Sequence, residues 1–127
     1  MDELTGTATR RKSIQELGRL LHLAEHQNQP LCFILDLDRF KHVNDRYGHE
    51  AGDRVLSVLG KHLKQFFRSD DIVGRWGGEE FVLGIYGITR DLCAKRLNDF
   101  LKTWGEQKFT AVNNQTFQVT FSAGVVE

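Results

Sequence analysis

The chain has one proline and two cysteines in 127 residues. A single proline rules out a proline-rich linker or low-complexity tract. Two cysteines rule out a disulfide-stapled scaffold. Cys32 and Cys93 sit in apolar segments without metal-ligand spacing, so they read as buried, reduced thiols of a cytosolic protein. No apolar run approaches the ~20 residues of a membrane span, and the start has no signal-peptide pattern. There is no excess of charge of either sign: 17 Lys and Arg balance 17 Asp and Glu. A protein that grips a DNA or RNA polymer usually carries a basic surplus, so a polymer binder is disfavoured; a local basic cluster can still hold a small phosphate ligand. What remains is 40% hydrophobic and 27% charged residues, the balance of one soluble domain.

Apolar spacing predicts a helix from Thr9 to Gln27, with Ile14, Leu17, Leu20, Leu21 and Ala24 on one face. Pro30 ends the following turn. Leu31 to Leu35 is a continuous apolar run, the mark of a strand buried on both faces. A second helix follows Gly48, with Val55, Leu56, Leu59, Leu63, Phe66 and Phe67 as its stripe. Ile72-Val73 and Phe81 to Tyr86 read as strands joined by a tight turn at Gly77-Gly78, where paired glycines suggest positive φ. A helix from Thr89 to Glu106 comes next, then a turn at Asn113-Asn114. The alternation of Phe117, Val119 and Phe121 gives a half-buried strand. The order implies an α/β (α+β) sandwich with a mixed, partly antiparallel sheet.

Several segments carry chemistry. Asp36-Leu37-Asp38 closes the buried strand; it is either a solvated turn or a site for a hard cation, which takes oxygen ligands. Glu79-Glu80 at the glycine turn is either a charged hairpin tip or, if the hairpin lies beside the first strand, the partner of Asp36 in a site holding Mg²⁺ for nucleotidyl transfer. The helix opening after Asp38 offers unpaired N–H groups to phosphate, and Lys41 adds charge. Asn44 and Asp53 suit a guanine edge, or else cap helices. Arg68-Ser69-Asp70-Asp71 is a solvated loop or a phosphate-and-guanine clamp.

Together these segments resemble the GGDEF family, the diguanylate cyclases. The resemblance rests on Gly77-Gly78-Glu79-Glu80-Phe81, Asp36 to Lys41, Asn44 to His49, Gly52-Asp53, and the opening Asp2-Glu3-Leu4-Thr5-Gly6 with Arg10-Arg11. Thr120 to Gly124 fits the family's late strand. It implies a palm-like nucleotidyl-cyclase fold with helices on both faces of the sheet. It further implies condensation of two GTP into cyclic di-GMP and two pyrophosphates by a face-to-face homodimer. By resemblance, Asp36, the Leu37 carbonyl and Glu79 hold Mg²⁺ (or Mn²⁺). Glu79 also deprotonates the attacking hydroxyl, and Glu80 supports the metal site. Asn44, His49 and Asp53 bind guanosine, and Phe40 and Lys41 lie at the phosphates. Arg68 and Asp71 match the family's inhibitory cyclic di-GMP site.

Thr9 stands where the family usually has Asn, and Thr7 where it has an apolar residue. Family domains continue past Gly124 into a helix and strand, the helix bearing basic triphosphate contacts. The expectation is therefore a GGDEF domain over 1–127, cut short, from a longer cytoplasmic or membrane-anchored protein with a regulatory domain. The competing reading is a catalytically silent module that binds GTP or cyclic di-GMP.

Overall fold

The computed structural model describes residues 1–24, 31–68, 71–85, 90–111 and 114–126. The first helix, α1, spans Arg10–Ala24. Strand β1 (Leu31–Leu37) leads into a short helix α2 (Phe40–Tyr47) and a long one, α3 (His49–Phe66). Strands β2 (Ile72–Arg75) and β3 (Glu80–Ile85) form the hairpin, followed by α4 (Arg90–Gly105). Two short strands, β4 (Phe109–Thr110) and β5 (Thr116–Phe117), pair with each other, and β6 (Phe121–Val126) joins the main sheet. Gln27, Pro30, Ser69, Asp70, Tyr86, Thr89 and Asn113 lie outside the described residues, as does the Cys32 side chain. None of the described helices is long and apolar enough to cross a membrane.

The main sheet has the order β2-β3-β1-β6, and every pairing of its named strands is antiparallel. Among the described residues, the expected mixed character survives only as an isolated parallel bridge between Ala8 and Gly74. The register sorts residues by face, because side chains alternate along a strand. Leu35, Leu37, Phe81, Leu83, Ile85 and Phe121 share one face and join the core built with α2, α3 and α4. Val55, Leu59 and Leu63 of α3 and Cys93, Phe100 and Trp104 of α4 meet them there. Each fully buried Leu or Phe in this layer stabilises the fold by about 1.5–3 kcal/mol of removed apolar surface.

The opposite face presents Ile72, Gly74, Val82 and Gly84, and α1 lies on it. α1 comes so close that a side chain at Gly74 would collide with Ser13 Oγ, and one at Gly84 would meet Leu17 Cδ2 at 2.9 Å. Leu17 thus keeps its place in the expected stripe and Ile14 does not, while the Leu20, Leu21 and Ala24 side chains lie outside the described residues. Ser13 is fully buried, donating to the Thr9 carbonyl at 2.8 Å, whereas Ile14 is 53% exposed. The strand read through Phe117, Val119 and Phe121 is also divided. All three are buried, but Phe117 belongs to the β4-β5 pair and Phe121 to the main sheet.

α2 and α3 are separated by Gly48 at φ 92°, a left-handed angle that favours glycine. α2 itself begins after Arg39, a non-glycine residue in the left-handed region at φ 56° and ψ 34°. That residue swings the chain from the end of β1 into the helix.

Candidate active site

The acidic residues gather at one end of the sheet. Asp36 is the register partner of Glu80 across β1 and β3, so the two side chains leave the same face. The Leu37 N–H donates to the Glu79 carbonyl at 3.3 Å, extending the contact one residue past the strand. Asp36 is exposed, and Glu79 and Glu80 are partly buried.

The connection between β2 and β3 has four residues, Trp76 to Glu79. Its chain reversal is closed by the Trp76 and Gly77 N–H groups, which donate to the Glu80 carbonyl at 2.7 and 3.2 Å. Neither Gly77 nor Gly78 adopts positive φ, which corrects the turn expected from the paired glycines. Gly77 acts instead through its missing side chain. A Cβ there would stand 2.8 Å from Glu80 Oε1, and one at Gly78 would meet nothing. The loop is fastened by Arg75, whose Nε donates to the Gly77 carbonyl at 3.2 Å and whose Nη2 donates to the Gly78 carbonyl at 2.8 Å. The Arg10 guanidinium stacks 4.7 Å from the centre of the neighbouring Trp76 ring.

Hard carboxylate oxygens from two strands suit Mg²⁺. Among the described residues, no group of three or more His, Cys, Asp or Glu side chains could hold a metal by itself. A cation held by one or two carboxylates plus substrate phosphates needs no such cage. The donor set therefore fits an ion shared with a nucleotide.

The two aspartates of Asp36-Leu37-Asp38 part company. Asp38 Oδ1 accepts from Ser122 Oγ at 2.7 Å and Oδ2 from Thr120 Oγ1 at 2.8 Å. Its N–H donates to the Thr120 carbonyl at 2.9 Å. Asp38 thus binds the start of β6 to the end of β1, leaving Asp36 as the solvent-facing carboxylate. Thr120 and Ser122 were not singled out by sequence reasoning as partners, and 82 and 84 residues of separation left no local signal.

The start of α2 lies directly beyond β1. Arg39 makes no side-chain cap, so the first N–H groups of α2 are open to an anion. Phe40 is buried, which leaves its backbone rather than its ring for that role; Lys41 is exposed beside it. Asn44 leans over Gly52, where any Cβ would collide with its amide oxygen. Glycine at 52 therefore brings Asn44 against α3 one residue before Asp53. Asn44 and Asp53 lie inside α2 and α3, whose N-caps are Arg39 and Gly48, so the capping alternative for them falls away. His49 and Asp53 are exposed on the first turns of α3.

Arg68 and Asp71 stand at the other end of β2. The Asp71 side chain is 1% exposed. It accepts from the Arg68 N–H at 2.8 Å and from Arg68 Nη2 at 3.2 Å. The Asp71 N–H returns to the Arg68 carbonyl at 3.0 Å, closing the turn. A cavity of about 390 Å³ opens beside them, lined by Thr7, Ala8, Lys12, Lys64 and Val73 among others.

Comparison with known proteins bears on this arrangement. The family model described as "Diguanylate cyclase, GGDEF domain" matches residues 1–127. Diguanylate cyclase DgcM of Escherichia coli K12 is 51% identical over 84 residues, 65% of this chain and 20% of that protein. The GGDEF domain of DgcB from Caulobacter crescentus, solved with c-di-GMP, superposes with a TM-score of 0.91 at 27% identity, covering 98% of this chain and 73% of that one. Diguanylate cyclase SiaD from Pseudomonas aeruginosa, solved with its activator SiaC, gives a TM-score of 0.90 at 33% identity, covering 98% of this chain and 48% of that one. The chain spans between a fifth and about a third of the length of the curated relatives it matches. Matched along its whole length by the family model, and with the acidic strand ends and the Gly77-Gly78 loop in place, this chain belongs to the GGDEF domain family of diguanylate cyclases.

Proposed function

We propose that the domain condenses two GTP into cyclic di-GMP with release of two pyrophosphates, each of two facing domains holding one GTP. The observation that carries this reading is the register of β1 against β3. It sets Asp36 beside Glu80, with Glu79 next in the loop and the uncapped start of α2 just beyond. Phosphoryl-type transfer depends on positioning and charge neutralisation, and these groups supply both.

In this reading Asp36, the Leu37 carbonyl and Glu79 hold Mg²⁺ (or Mn²⁺), which when bound neutralises phosphate charge. The open N–H groups of Phe40 and Lys41 receive the phosphates, and Lys41 adds a cation. Asn44, His49 and Asp53 hold the guanosine; Asp53 accepts from the ring N–H and amine, and the Asn44 amide meets the other edge. Glu79 takes the proton of the 3′-hydroxyl as its oxygen bonds to the α-phosphorus of the facing GTP. The bond from that phosphorus to pyrophosphate breaks, and a second identical step closes the ring. Glu80, seated in the space Gly77 leaves, supports the acidic pair. Arg68 and Asp71 bind the product and inhibit. The domain belongs to a longer signalling protein whose regulatory part controls dimerisation, and acts on the cytoplasmic side whether or not that protein is membrane-anchored.

The test is incubation of this chain, and of the full-length protein, with GTP and Mg²⁺, with chromatographic measurement of cyclic di-GMP. Product is expected from wild type and absent from Asp36→Asn and Glu79→Gln. GTP binding without product in the full-length protein would replace this reading with the silent-module one.

A further inference from the structure

A second cavity, of about 650 Å³, opens on the flank of α2 turned away from Asn44. Its walls are α2, the segment 117–120 that leads from β5 to β6, and Asp38 just past β1. These walls are tied to one another. Tyr47 of α2 stacks on Phe117 of β5, with ring centres 4.1 Å apart and planes 8° from parallel. Thr120 is bonded to Asp38, and the Gln118 amide donates to the Gly105 carbonyl of α4 at 2.9 Å. A groove braced in this way is in place before a ligand arrives, and its volume falls in the range of small-molecule pockets.

The cavity is separate from the nucleotide side. At about 100° per residue, His42, Val43 and Tyr47 share one flank of α2, and Lys41 and Asn44 the opposite one. Asn44 turns to Gly52 of α3, whereas the cavity flank turns to Phe117. Val43, Phe117 and Val119 are buried and give the cavity an apolar wall. Arg39 and His42 line it as exposed groups, and neither side chain has a hydrogen bond, ion pair or ring contact among the described residues. Asp38 is the acidic side chain in the wall, and both its oxygens are taken by the hydroxyls of Thr120 and Ser122. The open polar capacity is therefore for an acceptor. A guanidinium grips a carboxylate or phosphate with two parallel N–H groups, and an imidazole adds a further N–H.

We infer that this cavity binds a small organic anion, a carboxylate or phosphate ester with an apolar body. The charged group sits on Arg39 and His42, and the body packs against Val43, Phe117 and Val119. The site lies behind α2, apart from the groups assigned to GTP, and does not rest on the condensation proposed above.

The test is titration of the whole chain with 1-naphthyl phosphate, followed by amide shifts in NMR, with naphthalene-1-carboxylate run beside it to tell a phosphate from a carboxylate ligand. Saturable shifts are expected at Val43, Gln118 and Val119. Inorganic phosphate and neutral 1-naphthol, which each offer half of the contact, are expected to bind at least about tenfold more weakly. Arg39→Gly and His42→Ala should each weaken binding about fivefold without lowering the melting temperature, since glycine accepts the left-handed φ of 56° held at residue 39. A non-cyclisable GTP analogue should leave the probe bound. Displacement by the analogue, or shifts centred on Lys41 and Asn44, would put the anion in the substrate's own place and overturn the inference. So would 1-naphthol binding as tightly as its phosphate, wild-type affinity in both variants, or no saturable binding. If the analogue does not bind at all while 1-naphthyl phosphate still shifts Gln118 and Val119, the condensation reading fails and this one holds.

Discussion

Arg75 joins the signature loop to the beginning of the chain: while two of its nitrogens hold the Gly77 and Gly78 carbonyls, Nη1 reaches Asp2, 73 residues earlier, at 3.4 Å. Asp2 is itself fixed by the Thr5 N–H at 3.0 Å and Thr5 Oγ1 at 2.7 Å. The turn so formed continues into Ala8, which takes a hydrogen bond from the Arg75 N–H at 2.8 Å and donates to the Val73 carbonyl at 3.0 Å. Three acceptors in different directions need the guanidinium fork, which lysine lacks. Arg75→Lys is therefore expected to lower turnover at least tenfold with little change in the KM for GTP, and Arg75→Met to lower unfolding free energy by about 1–2 kcal/mol. A double-mutant cycle with Asp2→Asn in urea reads the coupling, expected above about 0.5 kcal/mol.

The same pair sets an acid limit. Burial raises the Asp2 carboxyl, but the Thr5 hydrogen bonds and the Arg75 charge outweigh it, and the group ends below its ordinary value of 3.8. A depressed carboxylate contributes stability above its unfolded pKa and loses it as pH falls through the folded one. Wild type is expected to lose stability as pH drops below about 4 more steeply than Asp2→Asn, a difference that urea midpoints across that range would show. Parallel acid limbs would remove Asp2 as the cause.

Asp36 and Asp38 sit two residues apart and should fail in opposite ways. Asp38→Ala strands Thr120 and Ser122 and loosens β6 from β1, at a cost of about 1–3 kcal/mol. Asp36→Asn alters an exposed carboxylate, so stability should stay within about 0.5 kcal/mol while cyclase activity falls about 100-fold or more. Thermal melts beside product assays separate the two; an Asp36 variant that melts early and still turns over would reverse the assignment.

This contrast also shows where the sequence was readable. The apolar stripe of α3 appears as a buried face because period 3.6 is a local property that packing only had to satisfy. On α1, Ser13 rather than Ile14 turns inward because Gly74 of β2 leaves room for it, while Leu17 packs on Gly84 where its spacing put it. No periodicity in α1 contains that information. Likewise Asp36-Leu37-Asp38 looked like one acidic unit. Only the antiparallel pairing of β1 with β6 places hydroxyls beside Asp38 and spares Asp36. The loop glycines were legible as a reversal, whereas the function of Gly77 in leaving room for the Glu80 carboxylate depends on a three-dimensional approach.

Gly52 makes a sharper probe of the nucleotide side than any of the residues placed there by motif. Alanine is a better helix former than glycine by about 1 kcal/mol, so on local grounds Gly52→Ala should stabilise α3. Its Cβ, however, would collide with Asn44 Oδ1, stand 3.0 Å from Asn44 Cγ and approach Phe40 Cζ to 3.2 Å. The Asn44 side chain can swing away, so the protein is expected to fold with stability within about 1 kcal/mol of wild type while GTP binding weakens about tenfold. Titration with a non-cyclisable GTP analogue reads the affinity directly. Unchanged affinity would release Asn44 from the guanosine site.

Cys93 gives the alkaline counterpart to Asp2. Its thiol is fully buried on the inner face of α4. Burial foremost, and the Asp71 charge after it, push its pKa from 9.0 up to about 11, against the opposing charges of Arg96 and Arg68. A raised pKa means that the folded chain holds the proton more tightly than the unfolded one. The associated stability is present below pH 9 and drains away as pH rises toward 11, by on the order of 2 kcal/mol. Cys93→Ala should lower stability at neutral pH by leaving a small void, yet show a shallower decline over that alkaline window. The thiol of the native protein should also react slowly with disulfide reagents near neutral pH, since the thiolate is the nucleophile. Rapid labelling of Cys93 in the folded chain at neutral pH would show that the site opens far more readily than its packing implies.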